Sequence, residues 1–281
     1  DGVEMRRGSQ LAVEQFNDRG GADGRLIELD IVEVDVLDDD STLRGLTDLA
    51  DRGVNVLTAG HFSNQHLVHN FVANWGVPYM HTSASTELSQ FAASDPVRRQ
   101  NFFQVCAPDD LYTPRFVQVM SQFRDLGSWA PSSDRLLLIM GASDFTDFGY
   151  VRAQTLAEKA GWILETVLPT GRSSEEIRAI AERVRSAEPA AIMIGFIFPA
   201  EAVAFIEEFL EGPSDTLLYL IYAPSIPEFR QRLGLRSESL VWATTTGTYS
   251  DHIGRHFASG YLHRFGQLPG RSHAGIAYDR T

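Results

Sequence analysis

Two short polar turns carry the side chains best suited to holding a small guest, Gly60-His61-Phe62-Ser63-Asn64 and Ser83-Ala84-Ser85. Hydroxyls, a carboxamide and nearby backbone N–H groups donate hydrogen bonds without bringing charge. That is chemistry for gripping a carboxylate or an amide rather than for breaking a bond. Each turn follows a short apolar run, Val54 to Ala59 and Val77 to Met80, that reads as a buried parallel strand, so both belong at the carboxyl edge of one sheet. Ligands of open α/β sheets bind outside that edge. Ser63 and Asn64 also open a helical pattern with Leu67, Val68, Phe71, Val72 and Trp75 on one face, which makes either residue an N-cap. A helix N-terminus stabilises a carboxylate through free N–H groups and partial positive charge, with no Arg or Lys required. The same residues acting as plain caps serve only their own helix. Repetition at two neighbouring turns tips the reading toward a ligand site.

Catalysis finds no support. The chain has no G-x-S-x-G elbow, no G-x-x-x-x-G-K-[ST] phosphate loop and no G-x-G-x-x-G, so neither a catalytic residue nor a cofactor is expected. His252 and His256 beside Asp251, and His66 with His69, have spacings that can hold zinc. Without an H-E-x-x-H pattern they read as residues of polar helix faces, and no metal site is expected. The run Asp38-Asp39-Asp40 lacks the glycine and distal Glu of a calcium loop and reads as a solvated turn. One cysteine, Cys106, excludes an intrachain disulfide and a cysteine-built metal site.

The elements that must position these turns follow from length and pattern. A chain of 281 residues suits two domains, and 43% hydrophobic with 22% charged residues is an ordinary globular composition. A net charge of −13 without any Lys/Arg cluster excludes a nucleic-acid partner. The longest nearly uncharged stretch, Pro189 to Ala200, is too short for a membrane span and is interrupted by Gly195 and Pro199.

A helix over residues 4–19 ends at Gly20-Gly21, and Arg25 to Asp35 alternates as a strand. Ser41 is expected to cap a helix through Arg52, and Asn101 to Cys106 to form another strand. From Leu111 the alternation restarts. Helices are expected near 111–126 and 148–160, and strands at Arg135–Met140, Trp162–Leu168, Ala190–Phe196, Thr216–Tyr222 and Leu240–Thr244. Ser173 and Glu176 form a capping box, Pro199 stands near a helix start, and helical patterns from about Ser250 and Ser272 close the chain. Strand and helix alternate throughout, which predicts an α/β fold of two domains with parallel sheets. The irregular stretches near Val105–Asp110 and Thr244–Tyr249 are the expected crossings. They give a first lobe of 1–106 plus 248–281 and a second of 107–247.

In this order the residues resemble a known group. GSQLAVEQFNDRGGADGRLIELDIVEVD, TAGHFSNQ, GVPYMHTSASTELS, DFTDFGY and HAGIAYD look like the type I periplasmic solute-binding proteins of the leucine/isoleucine/valine branch, receptor subunits of ABC importers. The resemblance implies two Rossmann-like lobes that hinge shut over a ligand in the cleft between them. It implies that the ligand carboxylate meets Ser63 or Asn64, that Ser83, Ala84 and Ser85 reach its amino and carboxylate groups, and that Phe148 before Gly149 is the second lobe's aromatic.

It further implies a processed, monomeric, extracytoplasmic protein, periplasmic or anchored at the cell surface, with a membrane permease as partner and an amino acid, aromatic or branched carboxylate, or amide as ligand. The same fold in a receptor or an amide regulator would have an indistinguishable pocket. Two departures stand out. Where amino-acid binders carry an acid for the ligand ammonium, this chain reads Tyr222-Ala223-Pro224-Ser225, leaving Asp144 or Asp147 to substitute, and Phe148, Phe196, Phe198 and Tyr222 suit an apolar ligand body. The family also has a strand before the position of Asp1 and more chain after that of Thr281, so the sequence is expected to be a piece of a longer protein.

Overall fold

The computed structural model describes residues 2–140, 148–168, 173–196, 199–244 and 249–281. In chain order, helices α1 (Gly2–Asn17) and α2 (Asp39–Asp51) precede β1 (Leu57–Ala59), α3 (Gln65–Trp75), β2 (Tyr79–His81), α4 (Thr86–Ser94) and β3 (Phe102–Gln104). A 3-10 turn at Asp109–Leu111 leads into α5 (Tyr112–Asp125), β4 (Arg135–Met140), α6 (Tyr150–Lys159), β5 (Ile163–Val167) and α7 (Ser174–Ala187). Then come β6 (Ala191–Gly195), α8 (Pro199–Leu210), β7 (Leu217–Ile221), α9 (Pro227–Leu233), β8 (Val241–Ala243), α10 (His252–Phe265) and α11 (His273–Arg280). The chain divides into two compact units, Asp1–Pro108 with Thr245–Thr281, and Asp109–Thr244.

The first unit holds a parallel sheet in the order β1-β2-β3, with Leu57 opposite Tyr79 and Tyr79 opposite Phe102. Leu57 and Tyr79 face Leu46 of α2 and Val68 and Val72 of α3, so the apolar stripe read from the sequence does bury that helix. The C-terminal helices complete this unit. Glu4 of α1, 7% exposed, accepts hydrogen bonds from the Tyr261 hydroxyl (2.8 Å) and the Gly270 N–H (2.7 Å). A Cβ on Gly8 would lie 2.2 Å from the carbonyl oxygen of Ala274, so α1 and α11 meet backbone to backbone.

The second unit is a five-stranded parallel sheet in the order β5-β4-β6-β7-β8. Alternate residues of its strands face opposite cores. Leu137, Ile139, Ile192 and Ile194 pack with Ile177 and Ile180 of α7 and Phe205 of α8, while Leu136, Leu138 and Met193 pack with Phe116 and Met120 of α5 and Ala153 of α6. Burial on both faces is why these strands read as continuous apolar runs. Ser173 and Glu176 form the capping box in front of α7.

Two local expectations are corrected. Arg25 to Asp35 alternates as a strand would, yet apart from an isolated bridge between Ala22 and Arg25 it joins no ladder among the described residues. Its backbone turns to side chains instead. Ile27 exchanges two hydrogen bonds with the Asn17 amide (2.8 and 2.9 Å), and the Asp35 N–H donates to the Ser41 hydroxyl (3.0 Å). Alternation marks a face, whereas a strand also needs a neighbour to pair with. With Ser41 so engaged, the cap of α2 is Asp38, whose carboxylate accepts from the Asp40 N–H, and Asp39 and Asp40 complement the dipole of the first turn. The acidic run is therefore a helix start. Helices α4 and α9 had no counterpart in the sequence reading.

Candidate functional site

Both polar turns lie directly after adjacent parallel strands, at the carboxyl ends of β1 and β2. In the first, Asn64 caps α3. Its Oδ1 accepts from the Leu67 N–H (3.1 Å) and its Nδ2 donates to Asp39 Oδ2 (2.8 Å). Ser63 donates both its hydroxyl (2.6 Å) and its N–H (3.1 Å) to the carbonyl of Val36. These side chains bracket the turn to the bend at residues 36–39. Since a carboxylate needs donors and the Ser63 hydroxyl has one proton, already given to Val36, the first turn offers a ligand backbone N–H groups of the α3 start rather than this hydroxyl.

The second turn differs. Ser83 is fully buried and donates to the Gly60 carbonyl (3.2 Å), and the Thr82 N–H reaches the Ala59 carbonyl (3.3 Å). These bonds tie the two turns together. Ser85, half-buried, occupies the N-cap position of α4 with no side-chain capping bond, and Ala84 beside it is half-buried. An uncommitted hydroxyl over a helix N-terminus is the arrangement that accepts a carboxylate oxygen.

A cation also reaches these turns. Arg280, the last residue of α11, is 6% exposed and donates from Nη1 to Thr82 Oγ1 (2.8 Å). Burial lowers its guanidinium to about 10. Sequence reasoning passed over Arg280. The signal available was an arginine closing the HAGIAYD segment, but nothing local shows that it folds back on β2.

Beneath the edge lies an aromatic cluster. His69 of α3 is fully buried, stacked on Phe102 (4.6 Å between centroids) and edge-on to His81 (5.2 Å) and Tyr79 (5.9 Å). Neither ring nitrogen of His69 has a partner. Burial pushes His69 down to about 3 and His81 to about 4, and raises the Tyr79 hydroxyl.

In the second unit the three expected aromatics separate. Phe148 (5% exposed) and Phe196 (3%) are core residues, packed against Tyr112 and Phe205 respectively. Tyr222 is half-buried at the carboxyl end of β7 with φ 59° and ψ −62°, a conformation rare outside glycine, and its carbonyl accepts from the Ser225 hydroxyl (2.6 Å). Backbone strain held at a strand's carboxyl end is a mark of binding positions. Asp144, Asp147 and Phe198 lie outside the described residues.

Among the described residues no three His, Cys, Asp or Glu side chains are placed to hold a metal ion, and no helix is long and apolar enough to cross a membrane. His66 pairs with Glu87 (3.0 Å). Zinc titration is expected to leave the thermal unfolding midpoint unmoved, and a saturable rise would reveal a site at one of the two histidine pairs.

A profile of the family described as periplasmic binding protein matches residues 1–281. A search of curated protein sequences found no match. Among solved structures, a protein of a branched-chain amino acid ABC transporter from Silicibacter pomeroyi shares 27% identity with a TM-score of 0.85, over 99% of this chain and 71% of its own. A substrate-binding protein from Desulfitobacterium hafniense in complex with Leu is 13% identical with a TM-score of 0.76, over 98% and 76% of the two chains. A solute-binding protein from Rhodopseudomonas palustris BisB5 in complex with 3,4-dihydroxy benzoic acid is 15% identical with a TM-score of 0.77, over 99% and 73%.

Proposed function

Because this chain belongs to the periplasmic binding protein family, among the solute receptors of ABC importers, we propose that it captures a small carboxylate-bearing solute outside the cytoplasm and presents it to a membrane permease. The observation that carries this reading is the pair of tied turns at the carboxyl ends of β1 and β2, with the Ser85 hydroxyl uncommitted above the start of α4. Two of the similar structures hold leucine and 3,4-dihydroxybenzoic acid, which differ in everything but a carboxylate. The first unit's contribution is then Ser85, the backbone of Ser83 and Ala84, and the N–H groups that follow Ser63 and Asn64. In the second unit Tyr222 is the residue given a binding role, while Phe148 and Phe196 belong to the core. The protein acts as a monomer that binds and releases its guest unchanged.

Thermal unfolding in the presence of amino acids, aromatic acids and their amides tests the reading, since a ligand at 100 times its dissociation constant stabilises the native state by about 2.7 kcal/mol. A midpoint unmoved by every solute would overturn it. Ser85→Ala is expected to weaken a carboxylate ligand by roughly 1–3 kcal/mol, the cost of one lost hydrogen bond to a buried charge. Because Ser85 caps nothing, unliganded stability should change by less than about 0.5 kcal/mol. Unchanged affinity would remove Ser85 from the site.

A further inference from the structure

The guanidinium of Arg280 is a buried cation without an anion. Its Nη1 bonds a neutral hydroxyl, that of Thr82, and its Nε has no partner. The ionisable groups that act on it are Tyr79 and Cys106, neither of which carries negative charge at neutral pH. Its own field falls on His81 and His273, both held neutral by burial. No carboxylate pairs with it among the described residues, the adjacent Asp279 included.

Its place is the carboxyl edge. Thr82 directly follows β2, and Nη1 lies 3.8 Å from where a Cβ on Gly60, directly after β1, would stand. Gly60, Thr82 and Cys106 are half-buried, so the group lies just below the surface of the same two turns that Ser83 ties together. A buried charge is retained at a cost of several kcal/mol by order of magnitude unless something of opposite sign meets it. Arg is also the side chain whose planar fork matches a carboxylate, offering two parallel N–H donors.

We propose that Arg280 is the counter-charge for the ligand's carboxylate, so that the receptor selects solutes bearing that group over their neutral amides. This rests on the receptor reading and adds a charged anchor to it. With Nη1 holding Thr82, Nε and Nη2 form the edge of the fork that faces the guest, and the Ser85 hydroxyl with the α4 N-terminus serves as the second, uncharged hold. Selectivity follows from desolvation, because an amide in the same place leaves the cation buried and unpaired, which neither partner recovers elsewhere.

The test compares wild type, R280M and R280K by calorimetry and thermal unfolding, with leucine, 3,4-dihydroxybenzoate and octanoate as probes beside their three amides. Wild type is expected to bind at least one acid and not its amide. R280M should bind that acid about 100-fold more weakly or worse, as when one partner of a buried ion pair is removed, with R280K in between. Unliganded R280M should unfold at the same temperature as wild type or higher, because it no longer buries a lone charge.

R280M binding the acid within threefold of wild type would overturn the role of Arg280 while leaving the receptor reading intact, as would an amide that binds as tightly as its acid. Lowered unliganded midpoints in both variants, with binding lost in parallel, would make Arg280 a structural residue and likewise overturn it. A wild type that responds to none of the six probes would overturn the receptor reading and this proposal together.

Discussion

Acidification is expected to unfold the first unit while the second stays folded. All eight histidines, His61, His66, His69, His81, His252, His256, His263 and His273, belong to the first unit, and the second has none. Three are buried and held neutral, His69 and His273 titrating near 3 and His81 near 4, against 6.5 for a free side chain, with burial the largest cause in each.

The sign follows from proton counting. Below 6.5 the unfolded chain binds protons at these positions and the folded chain does not, so stability is full above 6.5 and drains away as the pH falls toward 3 to 4. The combined loss is several kcal/mol by order of magnitude, comparable to the whole stability of a domain. Around His69 the titratable groups are His66 on its own helix, His81 and Tyr79 on β2 and Arg99 before β3, and His66, His81 and Arg99 oppose a charge on its ring.

Hydrogen exchange read by mass spectrometry between pH 7.5 and 4 assigns the opening to segments. Protection should vanish first across 57–104 and persist across the β4 and β6 strands. His69→Phe keeps a ring of similar size among Phe91, Phe102 and Tyr79 and removes two buried nitrogens that bond nothing. It should leave neutral-pH stability unchanged or raised and shift the acid transition to lower pH. A variant more than about 1 kcal/mol less stable at pH 7.5 would instead show that the ring nitrogens make bonds that stabilise the fold.

The second large effect is expected at Gly149. This residue has φ 75°, and a Cβ built on it would lie 1.8 Å from the carbonyl oxygen of Asp110 and 3.1 Å from Cδ of Pro114. Alanine there meets both a left-handed backbone and a collision with main chain that no rotamer can relieve. The contact is the join between α5 and α6. Phe148, itself at φ 50°, accepts the Thr113 N–H (3.0 Å) across the same gap. Gly149→Ala is therefore expected to destabilise the second unit by about 3 kcal/mol or more. Urea unfolding followed by tryptophan fluorescence reports it, because Trp129 and Trp162 stack within that unit (6.1 Å). A change under about 1 kcal/mol would mean that the α5 start yields easily, and Phe148 would then owe its placement to its own packing rather than to this join.

What local pattern could show, the sequence showed. Of the two caps the first turn left open, Asn64 is the one that formed, and the box of Ser173 with Glu176 formed as read, because a cap is decided within four residues. The five strands of the second unit fell within a residue or two of their expected ends, and in the inner strands β4, β6 and β7 the reason is burial on both faces, which leaves an uninterrupted apolar run.

Tertiary structure decided where each polar group finds its partner. Arg25 to Asp35 alternates as a strand does yet stands outside any ladder among the described residues, since a strand exists only beside another. Ser63 and Ser85 look alike in sequence, yet one hydroxyl is bound to Val36 and the other caps nothing. Arg280 reaches Thr82 from 198 residues away. Periodicity and capping are short-range and therefore written in adjacent residues, whereas the destination of a buried charge or a donated proton depends on segments that only the folded chain brings together.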